Sequence, residues 1–363
     1  IANASNTQAV PSPFMARSSP VTTTAYRATP LYTGPGITYA ESGVLLTGVV
    51  VTITERNTAG TWLYVESDTL AGWVLSGTLN LPPELHYSAL PITALADADP
   101  TTVNSRSLAT LYSAPILSAI DPAMLDVFAL GQALGNGAQT ITKIGDSLSA
   151  SDSYLTPFSA TEYALGPHDD LEATLLYYGA SAGLPSAASR IGLSTLVVFD
   201  AMWATDARCD PGESPLLCEY RVKQPSIAFV LFGPNDVLSM DTATYSAQMA
   251  KIVDASLERG IIPVLSTFSA DPAYEYWWIA VDFNLALVAL AEEKRVPMMN
   301  VWAAARALPD YGLDDDRIHL KHSGFEALKF DTSHETWYGV SLQNLLTLRM
   351  LDALRQMLAP ADV

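Results

Sequence analysis

Apolar positions are distributed along the chain in distinct textures. Up to about Thr24, large apolar residues are sparse among Ser, Thr, Ala, Asn and Pro, which predicts a flexible leader over 1–24. From Ala25 to about Leu81, short β-branched runs alternate with Gly-containing turns; Val49-Val50-Val51-Thr52-Ile53-Thr54 and Trp62-Leu63-Tyr64-Val65 are examples. That texture predicts a small all-β barrel over 25–81. A stretch holding Pro82, Pro83, Pro91 and Pro100 reads as a linker over 82–104. Beyond it, apolar strand candidates fall at Thr140–Ile144, Ser226–Phe232, Ile261–Thr267 and Pro297–Val301, with room for helices between them. Tyr245, Met249, Ile252, Val253 and Leu257 share one helical face, and Gly260 is a plausible stop before the next strand. Trp277 to Ala291 is apolar but interrupted by Asp282 and Asn284, and it is shorter than the roughly 20 residues that span a bilayer. It reads as a buried helix. A C-terminal helix over Ser341 to Leu358 closes the pattern. Strands this apolar, each followed by a helix, predict a parallel sheet covered on both faces over 105–360. In such sheets the functional groups gather at the carboxyl ends of the strands.

Composition narrows the classes. A chain of 363 residues with 49% hydrophobic content buries a large domain plus a minor one. A formal charge of −19 without a Lys/Arg cluster excludes a phosphate track for nucleic acid, and an anionic membrane surface would repel it. Cys209 and Cys218 flank a loop with Pro211, Gly212 and Pro215; they either close a small disulfide in an oxidising compartment or stay as thiols. No further Cys or His nearby suggests a zinc ligand set.

Three short motifs carry the chemistry. Gly145-Asp146-Ser147 ends an apolar run, where a strand gives way to a turn that holds a serine outward. Alone the triplet says little, since composition produces it in roughly one chain in ten of this size. Gly233-Pro234-Asn235-Asp236 follows the second strand candidate, and Asp316-Arg317-Ile318-His319 lies near the C-terminus. Ser147 needs a base to take its proton; His319 is the candidate, with His322 as its rival. Asp316, three residues before His319, is placed to receive the imidazole N–H. The oxyanion of an acyl-transfer intermediate needs fixed donors: the Ser147 N–H, the Asn235 amide and a glycine N–H. Asp146 and Asp236 read as local turn formers or caps. Asp314 and Asp315 read as a solvated acidic face without the ligand alternation of a calcium loop.

Two resemblances follow from these residues. Leu31-Tyr32-Thr33-Gly34-Pro35-Gly36, Gly60-Thr61-Trp62-Leu63-Tyr64-Val65 and Ala71-Gly72-Trp73-Val74 resemble a bacterial Src-homology-3-like domain. Those domains typically carry Arg where this chain has Tyr32, so ligand-binding detail does not carry over. They often attach extracellular enzymes to cell-wall peptide or glycan, so the resemblance implies wall binding through the barrel or a purely structural barrel. The order Gly-Asp-Ser, Gly-x-Asn-Asp, Asp-x-x-His over about Ser105 to Leu358 resembles the SGNH hydrolase superfamily, also called GDSL esterases and lipases. That resemblance implies a flavodoxin-like three-layer sandwich with a central parallel sheet. It also implies Ser147 as nucleophile, His319 and Asp316 as base and orienter, and Asn235 as oxyanion donor. The glycine donor lies between the first and third motifs: Gly192 in Ser189-Arg190-Ile191-Gly192-Leu193-Ser194 fits best, and Gly179 and Gly183 are rivals in a segment, Tyr154 to Gly183, that could form a lid. The expected activity is a cofactor-free and metal-free serine esterase acting through an acyl-enzyme. The expected substrates are short-acyl or acetyl groups on a polysaccharide or cell-wall glycan, with lipid or small esters as the variant. A catalytically silent wall-binding protein is the opposing expectation. The expected setting is secreted or cell-surface.

Overall fold

The computed structural model describes residues 21–25, 28–36, 39–57, 60, 62–82, 85, 89–92, 105–272 and 276–358. The leader up to residue 20 and the linker portion 93–104 lie outside the described residues.

Strand alternation builds the first unit. β1 (Val21–Thr24), β2 (Thr29–Tyr32), β3 (Glu41–Leu45), β4 (Val50–Arg56), β5 (Trp62–Glu66) and β6 (Ala71–Leu75) form an antiparallel sheet in the order β1-β4-β5-β6-β2-β3. Ala25, just past β1, bridges Thr47, just past β3, so the two edges of the sheet meet. β4 shows the period of two that drives this: Val51 and Ile53 are buried, whereas Val50 faces solvent. The first strand takes residues that composition placed in the leader, because pairing with β4 satisfies its backbone and Thr23 Oγ1 donates to Asn80 O. Leu85 and Leu90, from the proline-bearing stretch, are buried in this unit's core, and Arg56 N donates to Pro91 O.

The second unit alternates as the pattern predicts. Its helices and strands are α1 (Ser105–Ser113), α2 (Met124–Leu134), β7 (Gly137–Gly145), α3 (Ser147–Ala150), α4 (Glu172–Ala182), α5 (Pro215–Lys223), β8 (Pro225–Leu231), α6 (Thr242–Leu257), β9 (Ile262–Ser266), α7 (Trp277–Lys294), β10 (Met298–Met299), α8 (Val301–Ala305) and α9 (Gly339–Leu358). The four strands are parallel in the order β10-β9-β8-β7, and every residue of β8 and β9 is buried. Burial on both faces is what a sheet with helices on each side requires. Beyond β7 the sheet gains a short edge that no apolar run announces. Gly145 N donates to Ala188 O and Arg190 N to Gly145 O, each across about 3 Å, with Ser189 bridging Gly145 in parallel. The chain thus leaves β7 for one side and later returns to β8 on the other. That reversal is the switch point of a flavodoxin-like sheet, where a crevice opens at the carboxyl ends of the strands.

The segment from Tyr154 to Gly183 is not a lid. Tyr154, Leu155, Phe158, Leu175 and Tyr178 are buried in the main core, and α4 packs on β7. Its apolar residues are consumed by the sheet. No described helix is long and apolar enough to cross a membrane.

Candidate active site

Ser147 stands at the first position of α3, directly beyond β7, and is partly exposed while its neighbours Asp146 and Leu148 are buried. Gly145 makes the approach possible. A Cβ there would lie 2.0 Å from Leu231 O and 2.3 Å from Ser149 Oγ, so any side chain would push β7 away from β8. Asp146 caps the helix by accepting from Leu148 N at 3.0 Å.

The partners of Ser147 arrive on a hairpin. Leu313 and Leu320 bridge each other at its base, and Asp314 N donates to His319 O at 2.8 Å. Within it, Asp316 Oδ1 accepts from Ile318 N and His319 N, while Oδ2 meets His319 Nδ1 at 2.5 Å. The other imidazole nitrogen, Nε2, lies 2.8 Å from Ser147 Oγ. Partial burial pulls the Asp316 carboxyl upward, but hydrogen bonds from the His319 side chain and from the two backbone N–H groups outweigh it and hold Asp316 below the usual carboxylate range. A charged Asp316 favours the imidazole tautomer whose Nε2 is free to accept the serine proton. His322 does not compete: it is exposed, and its Nδ1 accepts from Gly324 N.

Gly192 and Asn235 belong to two loops that are tied together. Leu193 N donates to Arg190 O at 3.1 Å, closing a turn whose third residue, Gly192, has φ +80°. Open space surrounds the place where a Cβ would go, so backbone conformation and not crowding calls for glycine there. The Asn235 side-chain amide donates to Leu193 O at 3.1 Å, which orients it beside the Gly192 turn. Gly179 and Gly183 serve packing instead. A Cβ on either would strike Phe158 O or Ser159 Oγ.

Asp236 is the largest departure from the sequence reading. It is no local cap: its carboxylate accepts from Thr195 N at 2.9 Å and Thr195 Oγ1 at 2.6 Å, forty-one residues upstream. It is fully buried, as is Asp146, and burial pushes Asp236 up to about 6 and Asp146 up to about 7. The nearby Asp236 carboxyl adds to the rise at Asp146, opposed by the backbone N–H groups of Leu148, Asn235 and Gly233. Asp146 and Asp236 thus lie close together beneath the site, one carboxyl capping the serine turn and the other tied to Thr195. The only prior signal was two aspartates flanking the Ser and Asn positions, and nothing in their spacing revealed the contact.

Pro234 and Ile318, the chain neighbours of Asn235 and His319, line a narrow niche with Val237, Phe268, Ala270 and Arg317. It leaves about 10 Å³ for the centre of a water-sized sphere. A cleft of about 250 Å³ is lined by residues of the hairpin and the β1–β6 unit, among them Leu81, Leu85, Asp314, Arg317 and Lys321, together with Asp271. Cys209 and Cys218 are joined in a disulfide with Cα atoms 5.1 Å apart.

No curated protein matches the sequence. Similar solved structures include a G-D-S-L family lipolytic protein from Desulfitobacterium hafniense, at 12% identity and TM-score 0.36, covering 58% of this chain and 99% of that one. A GDSL-like lipase from Bacteroides thetaiotaomicron aligns at 12% identity and TM-score 0.38, covering 65% of this chain and 100% of that one. A variant of an acetyl-xylooligosaccharide esterase from Geobacillus aligns at 15% identity and TM-score 0.38, covering 60% and 95%. The sequence model of the GDSL-like Lipase/Acylhydrolase family matches residues 144–327, half of the chain, and spans Ser147, Gly192, Asn235, Asp316 and His319. This chain belongs to the GDSL-like lipase/acylhydrolase family.

Proposed function

We propose that this member of an ester-hydrolase family is a serine esterase that works through an acyl-enzyme on short acyl groups, acetyl above all, carried by a polysaccharide or cell-wall glycan. The observation that carries the reading is the unbroken line of hydrogen bonds from Asp316 through His319 to Ser147 Oγ, 2.5 and 2.8 Å long. In the first step, His319 Nε2 takes the Ser147 proton as Oγ attacks the ester carbonyl carbon. Negative charge moves to the carbonyl oxygen, where the N–H groups of Ser147 and Gly192 and the Asn235 amide are the donors. His319 then gives its proton to the departing alkoxide, which leaves as the alcohol. Water, deprotonated by the same imidazole, attacks the acyl-serine, and on collapse His319 returns that proton to Ser147 Oγ as the acid departs and ionises in solution. The Asp316 carboxylate stabilises the imidazolium at both stages.

Two features support the finer claims. The niche lined by Pro234 and Ile318, next along the chain to Asn235 and His319, is mostly apolar and has room for about a methyl group, which suits acetyl. The Cys209–Cys218 bridge suits an oxidising, extracellular setting in which acetylated glycans are met. The test is hydrolysis of p-nitrophenyl esters from acetate to octanoate and of acetylated polysaccharides, by the wild type and Ser147→Ala. Wild type should favour acetate, and Ser147→Ala should lose roughly 10⁴-fold or more in kcat. Unchanged turnover by Ser147→Ala would sink the nucleophile assignment. Preference for octanoate would sink the short-acyl one.

A further inference from the structure

The hairpin that carries Asp316 and His319 extends from no strand of the parallel sheet; on the second unit's side it is tied to the start of α9, where Val340 N donates to Lys321 O at 3.1 Å. Its base residues, Leu313 and Leu320, belong to one buried apolar cluster with Leu31, Val74 and Leu79 of the β1–β6 unit. Tyr311, just before the hairpin, and Val340, at the start of α9, complete the same cluster. The two units also touch through polar groups, since Ser76 Oγ donates to Pro272 O.

The foot of this hairpin is strained. Asp310, Tyr311 and Gly312 follow one another in the left-handed region, with φ of +47°, +57° and +71°. For a non-glycine residue that conformation costs roughly 1–2 kcal/mol and persists only where the surroundings over-determine it. Here they do. The Tyr311 ring lies 3.9 Å beneath the buried Arg306 guanidinium, and its carbonyl accepts from Ser269 Oγ. Arg306 is itself fixed by Ser269 Oγ, Ala270 O and Trp302 O. Arg317, between the acid and the base, is also left-handed at +59°, and its side chain faces Asp271 at 3.6 Å.

We propose that the β1–β6 unit is a working part of the active site: its core is the floor that holds the Asp316–His319 hairpin in register with Ser147, and the Arg317–Asp271 pair is the lock at the hairpin's tip. This rests on the reading of Ser147, His319 and Asp316 as a triad and adds what sets its geometry. Loosening the floor moves the imidazole relative to Oγ, and an error of about 1 Å at that distance costs up to roughly 100-fold in rate. Substrate affinity has no such dependence. The residues involved are positioning residues.

The test uses full-length protein and p-nitrophenyl acetate, well below the melting temperature, with folding checked by circular dichroism. Leu79→Ala and Val74→Ala cut the floor. Trp73→Phe cuts the separate aromatic cluster of Tyr32, Trp62 and Trp73, which contains no residue of the second unit. The floor variants should lose about tenfold or more in kcat with KM within about twofold, and the downfield proton resonance of the His319–Asp316 hydrogen bond should weaken. Trp73→Phe should keep both. Floor variants that melt earlier yet retain kcat and the resonance would overturn the proposal, as would an equal kcat loss in Trp73→Phe. Should Leu79→Ala and Val74→Ala fail to fold, Arg317→Ala tests the lock: kcat should fall and Arg317→Lys should restore most of it, whereas full activity in Arg317→Ala overturns the idea. Failure of the triad reading itself would show separately, as activity surviving in Ser147→Ala.

Discussion

The two sides of the active site are built in opposite ways. On the nucleophile side, Ser147 and Asn235 extend directly from β7 and β8, and the groups that fix them are buried: Asp146, Ser149, Thr195 and Asp236 have essentially no exposed surface. On the proton-handling side, the His319 and Asp316 side chains are 44% and 49% exposed and stand on a hairpin outside the sheet. One side is held by low-dielectric hydrogen bonds that need no other domain. The other packs against the β1–β6 unit and is tied to the second unit at its foot, through Val340 N to Lys321 O and Ser269 Oγ to Tyr311 O. On the proposed mechanism, the contrast places rigidity where the oxyanion would be met by fixed donors, and leaves the group that would change protonation twice per turnover within reach of water.

The strongest test of the contrast is Asp316→Asn. An amide keeps the shape but favours the wrong imidazole tautomer, and in a triad that costs on the order of 10⁴-fold in kcat with little change in KM. If the exposure of Asp316 let water replace it, the loss would be under about tenfold, and the proton-handling side would need no orienter. Steady-state kinetics on p-nitrophenyl acetate decides. On the opposite side, Asn235→Ala removes one oxyanion donor and should cost about 10²–10³-fold in kcat. A loss as small as tenfold would mean that Asn235 only braces Leu193 O, the acceptor its amide meets among the described residues.

What the sequence made legible follows the same division. The apolar runs of β8 and β9 are continuous because both faces are covered, and β7 is buried over its last five residues, so the strands and the residues just past them were visible. The Asp316-to-His319 spacing was visible because the interaction is local, closed within three residues. Long-range pairings were not. The edge at Ala188 to Arg190 is too short to leave a pattern, and Asp236 finds Thr195 only through the fold. The support of the hairpin was equally hidden. Leu313 and Leu320 look like ordinary loop leucines until the core of the β1–β6 unit is seen against them.

The buried carboxyls give the nucleophile side a pH signature. Asp146 ionises near 4 in an unfolded chain, and burial, helped by the neighbouring Asp236, pushes it up to about 7 in the folded one. Between those values the folded state binds the extra proton. Asp146's contribution to unfolding free energy therefore falls as pH rises from about 4 to about 7 and then stays level, with Asp236 adding a fall of the same sign up to about 6. Asp146→Asn should flatten that slope by a few kcal/mol, roughly, in urea titrations at pH 4.5 and 7.5. An unchanged slope would mean that Asp146 stays charged and that its hydrogen bonds outweigh its burial.

The smallest expected effect concerns the disulfide. Cys209–Cys218 braces the entry to α5, and Glu219 on that helix receives Ala187 N at 2.6 Å and the Thr142 hydroxyl, joining the sheet edge to β7. Lys223, one turn along, pairs with the same carboxylate at 3.3 Å. Closing a loop of nine residues contributes about 2–3 kcal/mol by chain entropy, so Cys209→Ala with Cys218→Ala should lower unfolding free energy by that amount. Activity should not follow. The Glu219 bonds sit below the disulfide and hold the edge next to Gly145 without it, whereas a comparable loss of packing in the floor of the hairpin reaches His319 directly. If the double variant lost kcat in proportion to stability, the nucleophile side would be as dependent on its periphery as the proton-handling side, and the asymmetry between them would fail.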